Sequence, residues 1–244
     1  MGKYLEVIYF KQEYSEKDYP QLLCNYVYER FFKEHIKKNN ISNPRVLDIG
    51  SGKGNHLVSF SRLGMKPTGL DKKEECLAIL KDMGFNGIDI KECDIEKDKF
   101  PFKDNTFDFI FSKSVLEHVT NTDNFVKEAL RVLKPNGIAV FLTPDWKSQR
   151  DFFWDDYTHV KAFTRKSLQN AMRINGYSNV TCEYFLQLPI VWKYPILNTL
   201  LAPMNLIPNR FKWRDKLESN PRTFIRFSKE KMLLAWGSKP NNKK

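Results

Sequence analysis

VLDIGSGKGN, residues 46–55, runs from an apolar stretch through an acid into glycines at alternate positions, Gly50, Gly52 and Gly54. The apolar half, with Arg45 before it, reads as a short buried strand. The glycines let the backbone turn sharply and come close to a ligand. Working outward from this stretch, the same alternation repeats. A helix over 55–63 stops at Gly64, and KPTGLD gives a second strand ending in Asp71. A helix over 73–83 stops at Gly84, and GIDIKECD gives a third strand with Asp94 at its end. TFDFIFSKS is a fourth strand, 122–133 an amphipathic helix capped by Asn121 or Thr122, KPNG a turn and IAVFLTP a fifth strand. Strand–helix alternation with short connections predicts a doubly wound, mostly parallel α/β sheet.

Beyond Pro144 the pattern changes. DWKSQRDFFWDDYTHVKAFT is an aromatic-rich loop of about twenty residues, a length that in a compact domain usually serves a function. A helix over 165–175, a sixth strand in NVTCEYFLQ and a seventh in FSKEKMLLAWGSK complete the sheet. The expected organisation is a single domain over 1–244. It carries a helical N-terminal extension (1–40, with apolar residues helically spaced over 19–38) and an insertion at 188–222 rich in Pro, Trp and Leu.

Composition sets limits. The chain has 244 residues, 41% of them hydrophobic, enough for a sizeable core. Cys24, Cys76, Cys93 and Cys182 form no CxxC pair and no zinc or disulfide spacing, so reduced thiols in a cytoplasmic protein are expected, and MGKYLEVIYF does not read as a signal peptide. Of the net charge of +11, +9 falls in residues 187–244. This basic quarter suits an anionic partner: a phosphorylated acceptor, a membrane surface or nucleic acid. The insertion is interrupted by Lys193 and by Pro189, Pro195, Pro203 and Pro208, so it cannot be a spanning helix. It reads either as a cap over the acceptor pocket, as a dimer or core contact, or as a peripheral membrane element with Trp192, Trp213, Arg210, Lys212 and Arg214 at the headgroups.

The glycine turn itself admits three ligand classes. A P-loop needs a Lys-Ser or Lys-Thr pair, which Lys53 does not provide. A dinucleotide fingerprint is matched by Gly50, Gly52 and the downstream acid Asp71, but Asn55 stands where its third glycine belongs. The GxGxG pattern, with Asp48 ahead of it, suits a zwitterionic ligand carrying positive groups, such as the ammonium and sulfonium of S-adenosylmethionine. Asp71 and Asp94, each closing a successive strand, are placed to take ribose hydroxyls and an adenine amino group.

With VLDIGSGKGN, GLDKKEE, CDIEKDKFPFKDNTFDFIFSKSVLEHV and RVLKPNGIAVFLTP, the segment 45–144 resembles class I S-adenosylmethionine-dependent methyltransferases of the methyltransferase type 11 kind. The resemblance implies a Rossmann-like seven-stranded sheet with its last strand antiparallel. It also implies that Asp48, Gly50, Ser51 and Gly52 hold the methionine end of the cofactor. Asp71 would bind the ribose with Lys72 beside the adenine, Asp94 and Ile95 would bind the adenine, and Ser112 would line the methionine side.

Methyl transfer to a hydroxyl also needs a base. Of the four histidines, His35 is expected at the surface, His56 as a cap or packing residue and His118 as a structural residue opening the LEHV turn. His159 is the candidate catalytic base, because YTHVKAFT resembles a segment of methyltransferases acting on glycans and natural products. Trp154 and Tyr157 beside it are the candidate acceptor-binding aromatics. A metal site from Asp155, Asp156 and His159 has a single imidazole, and no metal is expected there. The reading is an O-methyltransferase acting on a sugar, glycan or related small molecule, phosphate- or lipid-linked, with quinone, lipid or RNA acceptors as alternatives. A cofactor-binding subunit without turnover is the non-enzymatic alternative.

Overall fold

The computed structural model describes residues 19–72, 88–206 and 229–241. The expected helix at 73–83, with Cys76, and the insertion residues Arg210, Lys212, Trp213 and Arg214 lie outside them.

The first element of the described residues is helix α1 (Tyr19–Val27), followed by a π-helical turn (Tyr28–Phe32) and α2 (Lys33–Lys38). Then come β1 (Arg45–Ile49), α3 (Asn55–Arg62), β2 (Lys66–Asp71), β3 (Asp89–Glu92), β4 (Phe107–Lys113), α4 (Thr122–Val132) and β5 (Leu133–Pro144). The loop expected after β5 contains the short helix α5 (Trp146–Gln149) and a 3-10 turn (Phe153–Asp155). Helix α6 (Arg165–Ile174), β6 (Ser178–Leu186), short helices α7 (Pro189–Lys193) and α8 (Leu197–Leu200), and β7 (Lys231–Ser238) follow.

Among the described residues the sheet has seven strands, in the order β3-β2-β1-β4-β5-β7-β6. All neighbours pair parallel except β7, which runs antiparallel to both β5 and β6. Strand periodicity explains why the central strands read as continuous apolar runs. Leu47, Ile49, Ile110, Ala139, Phe141, Leu233 and Ala235 face one core, packed under α4 and α6. Val46, Phe109, Phe111, Val140, Leu142, Met232 and Leu234 alternate with them and face a second core, covered by α1, the π turn and α3. A central parallel strand with both faces covered has no polar side to show.

Local signals fix several boundaries. Asn121 caps α4 by accepting from the Asn124 amide at 3.2 Å. Thr164 and Ser167 form a capping box on α6. The expected KPNG turn is a bulge inside β5: pairing with β4 slips from Phe107↔Leu133 to Phe109↔Ile138, and Asn136 takes φ +63° to make the excursion.

The strand order reverses between β1 and β4. β2 and β3 lie on one side of β1, and β4 and β5 on the other. The loops leaving the C-terminal ends of β1 and β4 therefore flank a crevice, the usual ligand position in an open α/β sheet.

Candidate functional site

The turn after β1 is built around three left-handed glycines, Gly50 (φ +75°), Gly52 (φ +51°) and Gly54 (φ +79°). Its base is stapled to β2, because the Gly50 and Ser51 amides both donate to the Leu70 carbonyl, at 2.7 and 3.3 Å. Gly50 is required twice over. Its backbone is strained for any other residue, and a Cβ there would sit 2.2 Å from Cγ2 of Val115, in the loop leaving β4. The two loops of the crevice thus meet at Gly50 and Val115.

Inside this turn three polar atoms are buried without a hydrogen bond: both carboxylate oxygens of Asp48 and the hydroxyl of Ser51. Asp48 is 1% exposed. Burial, with the Asp71 charge adding to it, pushes its carboxyl up to about 8. Nδ1 of His56, 3.7 Å away, offers little compensation, because burial brings that imidazole down to about 3 and keeps it neutral. Buried polar groups are normally satisfied, so an orphaned carboxylate beside a glycine cradle calls for a cationic ligand. The ammonium and sulfonium of S-adenosylmethionine match that demand.

Asp71 ends β2 with one oxygen taking the Gly52 amide (2.8 Å) and the other the Lys72 amide (2.7 Å). The carboxylate is held rigidly at the crevice edge, and each oxygen keeps a second lone pair for a hydroxyl donor. Asp94 shapes the next turn by accepting from the Glu96 amide at 3.1 Å, and Lys72 Nζ reaches it at 3.6 Å. Asp94 therefore does the work of a local cap, with Lys72 bridging it to Glu96 at 3.8 Å. Ile95 is buried beside it. The Ser112 hydroxyl donates to the Ile49 carbonyl at 2.8 Å, tying β4 to β1 directly below the glycine turn.

Past Val115, the chain makes a 3-10 turn (Leu116–His118). Here the structure joins what sequence distance had separated. The His118 and His159 rings lie 4.8 Å apart, and His159 also packs on Phe153 at 4.3 Å. The Val160 and Lys161 amides both donate to the Glu117 carbonyl, at 2.8 and 3.0 Å, which fastens the 157–161 segment over the β4 loop. The Glu117 side chain is buried and takes the Thr143 hydroxyl at 2.9 Å. Burial raises its carboxyl, against the pull of His118 and Thr143.

His118, expected to be structural, thus belongs to a cluster with His159 and Glu117. The signal for it was present: LEHV leaves a strand that the topology sets beside β1. Of the acids near His159, Asp156 is the partner (3.8 Å to Nε2). Trp154, half exposed, packs edge-on against Phe153 and tilted against Trp146, and Tyr157 is largely exposed. His35 is half-buried rather than superficial, edge-on to Phe109 at 5.5 Å, and burial lowers its imidazole. Of the three readings of the insertion, Trp192 fits the packing one: it stacks on Phe185 at 5.0 Å and donates its indole N–H to the Leu186 carbonyl at 2.7 Å.

Residues 47–141 match the family model described as a methyltransferase domain. Residues 47–141 are thus a methyltransferase domain, with S-adenosylmethionine as its cofactor. A ubiquinone biosynthesis O-methyltransferase of Bradyrhizobium sp. (strain ORS 278) is 34% identical over 125 residues, 49% of this chain and 48% of the relative. A ubiquinone/menaquinone biosynthesis C-methyltransferase of Pseudomonas entomophila (strain L48) is 40% identical over 110 residues, 41% of this chain and 42% of the relative. The chain thus spans about half the length of these curated relatives. Among solved structures, an S-adenosylmethionine-dependent methyltransferase from Archaeoglobus fulgidus superimposes with a TM-score of 0.56 at 17% identity, covering 85% of this chain and 92% of that one. The fold is shared.

Proposed function

We propose that the protein transfers the methyl group of S-adenosylmethionine to a hydroxyl oxygen on a small-molecule ring. The orphaned Asp48 carboxylate in the glycine cradle carries the cofactor half of this reading. The bound cofactor would supply an activated methyl on a sulfonium that is its own leaving group. What remains for the chain is to bind, orient and exclude water. Asp48 and Ser51 hold the amino-acid end, Asp71 the ribose, and Lys72, Asp94 and Ile95 the adenine side. The acceptor enters from the other wall, under 153–160, where Trp154 and Tyr157 offer aromatic surface and the His118–His159 pair meets the hydroxyl.

A phenolic acceptor of the quinone-precursor kind is supported by the names of the sequence relatives. A sugar or glycan hydroxyl is the second reading and rests on the YTHVKAFT segment. Incubating the protein with methyl-labelled S-adenosylmethionine and matched panels of catechols, hydroxyquinols and nucleotide sugars tests both. Label recovered as a methyl ether on one panel selects between them, and label on ring carbon overturns O-transfer.

The segment 189–206 supports a peripheral contact with a lipid-bearing acceptor. Ile190, Tyr194, Ile196, Leu200 and Leu206 are all at least half exposed there, and the surrounding quarter of the chain is basic. No helix among the described residues is long and apolar enough to cross a membrane. Retention on anionic vesicles that falls with Ile196→Ser and Leu206→Ser is the expected result.

A further inference from the structure

We infer that Glu117, His118 and His159 form a binding site for a divalent first-row transition-metal ion on the acceptor side of the crevice. One potential ligand atom from each lies within 4.8 Å of the others. The hydrogen bonds around the two imidazoles decide which nitrogens are available to an ion. His159 Nδ1 lies 2.6 Å from the Phe153 carbonyl oxygen, which can only accept, so Nδ1 carries the proton and the lone pair is on Nε2. His118 Nδ1 faces two oxygens of Thr158. One is the carbonyl at 3.1 Å, an acceptor. The other is the hydroxyl at 2.9 Å, whose proton is already given to Asp156 Oδ1 at 2.6 Å. Both are acceptors, so His118 too is protonated on Nδ1 and presents its Nε2 lone pair. Ligating histidines are commonly fixed in this way, with the second nitrogen donating to a carbonyl or to a carboxylate-linked group.

The third donor is a carboxylate already oriented by Thr143. Two neutral imidazoles and one carboxylate suit zinc, manganese, iron, cobalt or nickel rather than calcium or magnesium. Three protein ligands leave coordination positions for other oxygens. Bonds of about 2.0–2.2 Å place ligand atoms roughly 3.4 Å apart around a tetrahedral ion, so side-chain rotation of the order of an ångström closes the present spacing. Asp156, at 3.8 Å from His159 Nε2, stands at the rim of the same site.

The cluster adjoins the crevice through the chain itself, since Glu117 is two residues beyond Val115, which touches the Gly50 position. An ion held there would take the acceptor's hydroxyl oxygen and lower its pKa, with His159 as ligand rather than as base. This role rests on the methyltransferase reading; ion binding does not.

Cobalt(II) titrated into the chelator-treated full chain tests the site through its visible d–d absorption. A saturable band of low-symmetry cobalt is expected. His118→Ala, His159→Ala and Glu117→Gln should each weaken it about 100-fold, Thr158→Val about tenfold through the lost orientation of His118, and His35→Ala not at all. S-adenosylmethionine affinity, measured in every sample, should be retained and reports folding. Cofactor binding with only the spectrum of aqueous cobalt, or a band indifferent to all three ligand substitutions, overturns the metal site alone. A band that obeys these substitutions in a chain without cofactor affinity sustains the site and overturns the methyltransferase reading.

Discussion

Two acidic side chains show how differently this fold treats buried charge. Glu128 on α4 accepts from the Phe100 amide at 2.8 Å and from Arg131 at 2.7 Å, while Arg131 also holds Asp104 at 2.7 Å and the Phe100 and Phe102 carbonyls. Burial works to raise the Glu128 carboxyl, but Arg131 and the Phe100 amide outweigh it and hold it below the ordinary range. Asp48 on β1 is more deeply buried and accepts nothing. Glu128 is complete as folded and braces the loop after β3. Asp48 is incomplete until something positive arrives. The contrast separates a structural charge from a binding charge without reference to any relative.

Asp48→Asn should break this contrast most visibly. Losing the charged partner of a desolvated cation should weaken S-adenosylmethionine binding about 100-fold by calorimetry. The ligand-free protein should move the other way. Between the ordinary carboxylate range near 3.8 and about 8, folded Asp48 holds a proton that the unfolded chain releases, so stability falls as pH rises through that window. An amide has no such penalty, and Tm at pH 7–8 should rise by a few degrees, a trade of stability for function. Arg131→Ala should do the converse. It strands Glu128 and should cost about 2 kcal/mol in urea unfolding, with cofactor affinity within about twofold of the parent. If the two substitutions give the same pattern, the distinction between the two acids is wrong.

Proton linkage sharpens the same point. A cation beside Asp48 favours its charged form, so binding below pH 8 must expel a proton, and affinity should climb as pH rises toward about 8. Calorimetry in buffers of different ionisation enthalpy should register proton release for the parent chain, and Asp48→Asn should abolish that component.

How legible each region was follows from the range of the interactions that build it. The glycine turn, β2 with Asp71 and the α4 cap are local: backbone angles, period and capping residues within a few positions specify them, and they stand as the sequence reading placed them. The α/β alternation likewise placed the parallel strands, whereas the antiparallel last strand was implied only by the family resemblance. The KPNG bulge and the Glu117–His118–His159 cluster depend on contacts between distant segments. Nothing near His118 in sequence says that Thr158 will orient it, because that contact spans 40 residues and follows from two amides docking on one carbonyl. Trp192 was left open among cap, packing and membrane contact for the same reason: only the fold brings Phe185, Tyr26 and Tyr19 around it.

The smallest effects come from a pair of serines that repeat the Asp48–Glu128 contrast without charge. Ser112 spends its proton on the Ile49 carbonyl, and Ser112→Ala leaves that buried carbonyl short of a donor, which should cost about 1 kcal/mol of stability. The Ser51 hydroxyl makes no hydrogen bond while buried in the glycine turn, so Ser51→Ala removes none and should leave the stability within about 0.5 kcal/mol. The hydroxyl of Ser51 is therefore worth little to the fold and should be worth something to the ligand: cofactor affinity is expected to drop about fivefold, the value of one neutral hydrogen bond. A stability loss at Ser51 as large as that at Ser112 would show that its hydroxyl has a partner within the chain, and the cradle would then be closed rather than waiting for a ligand.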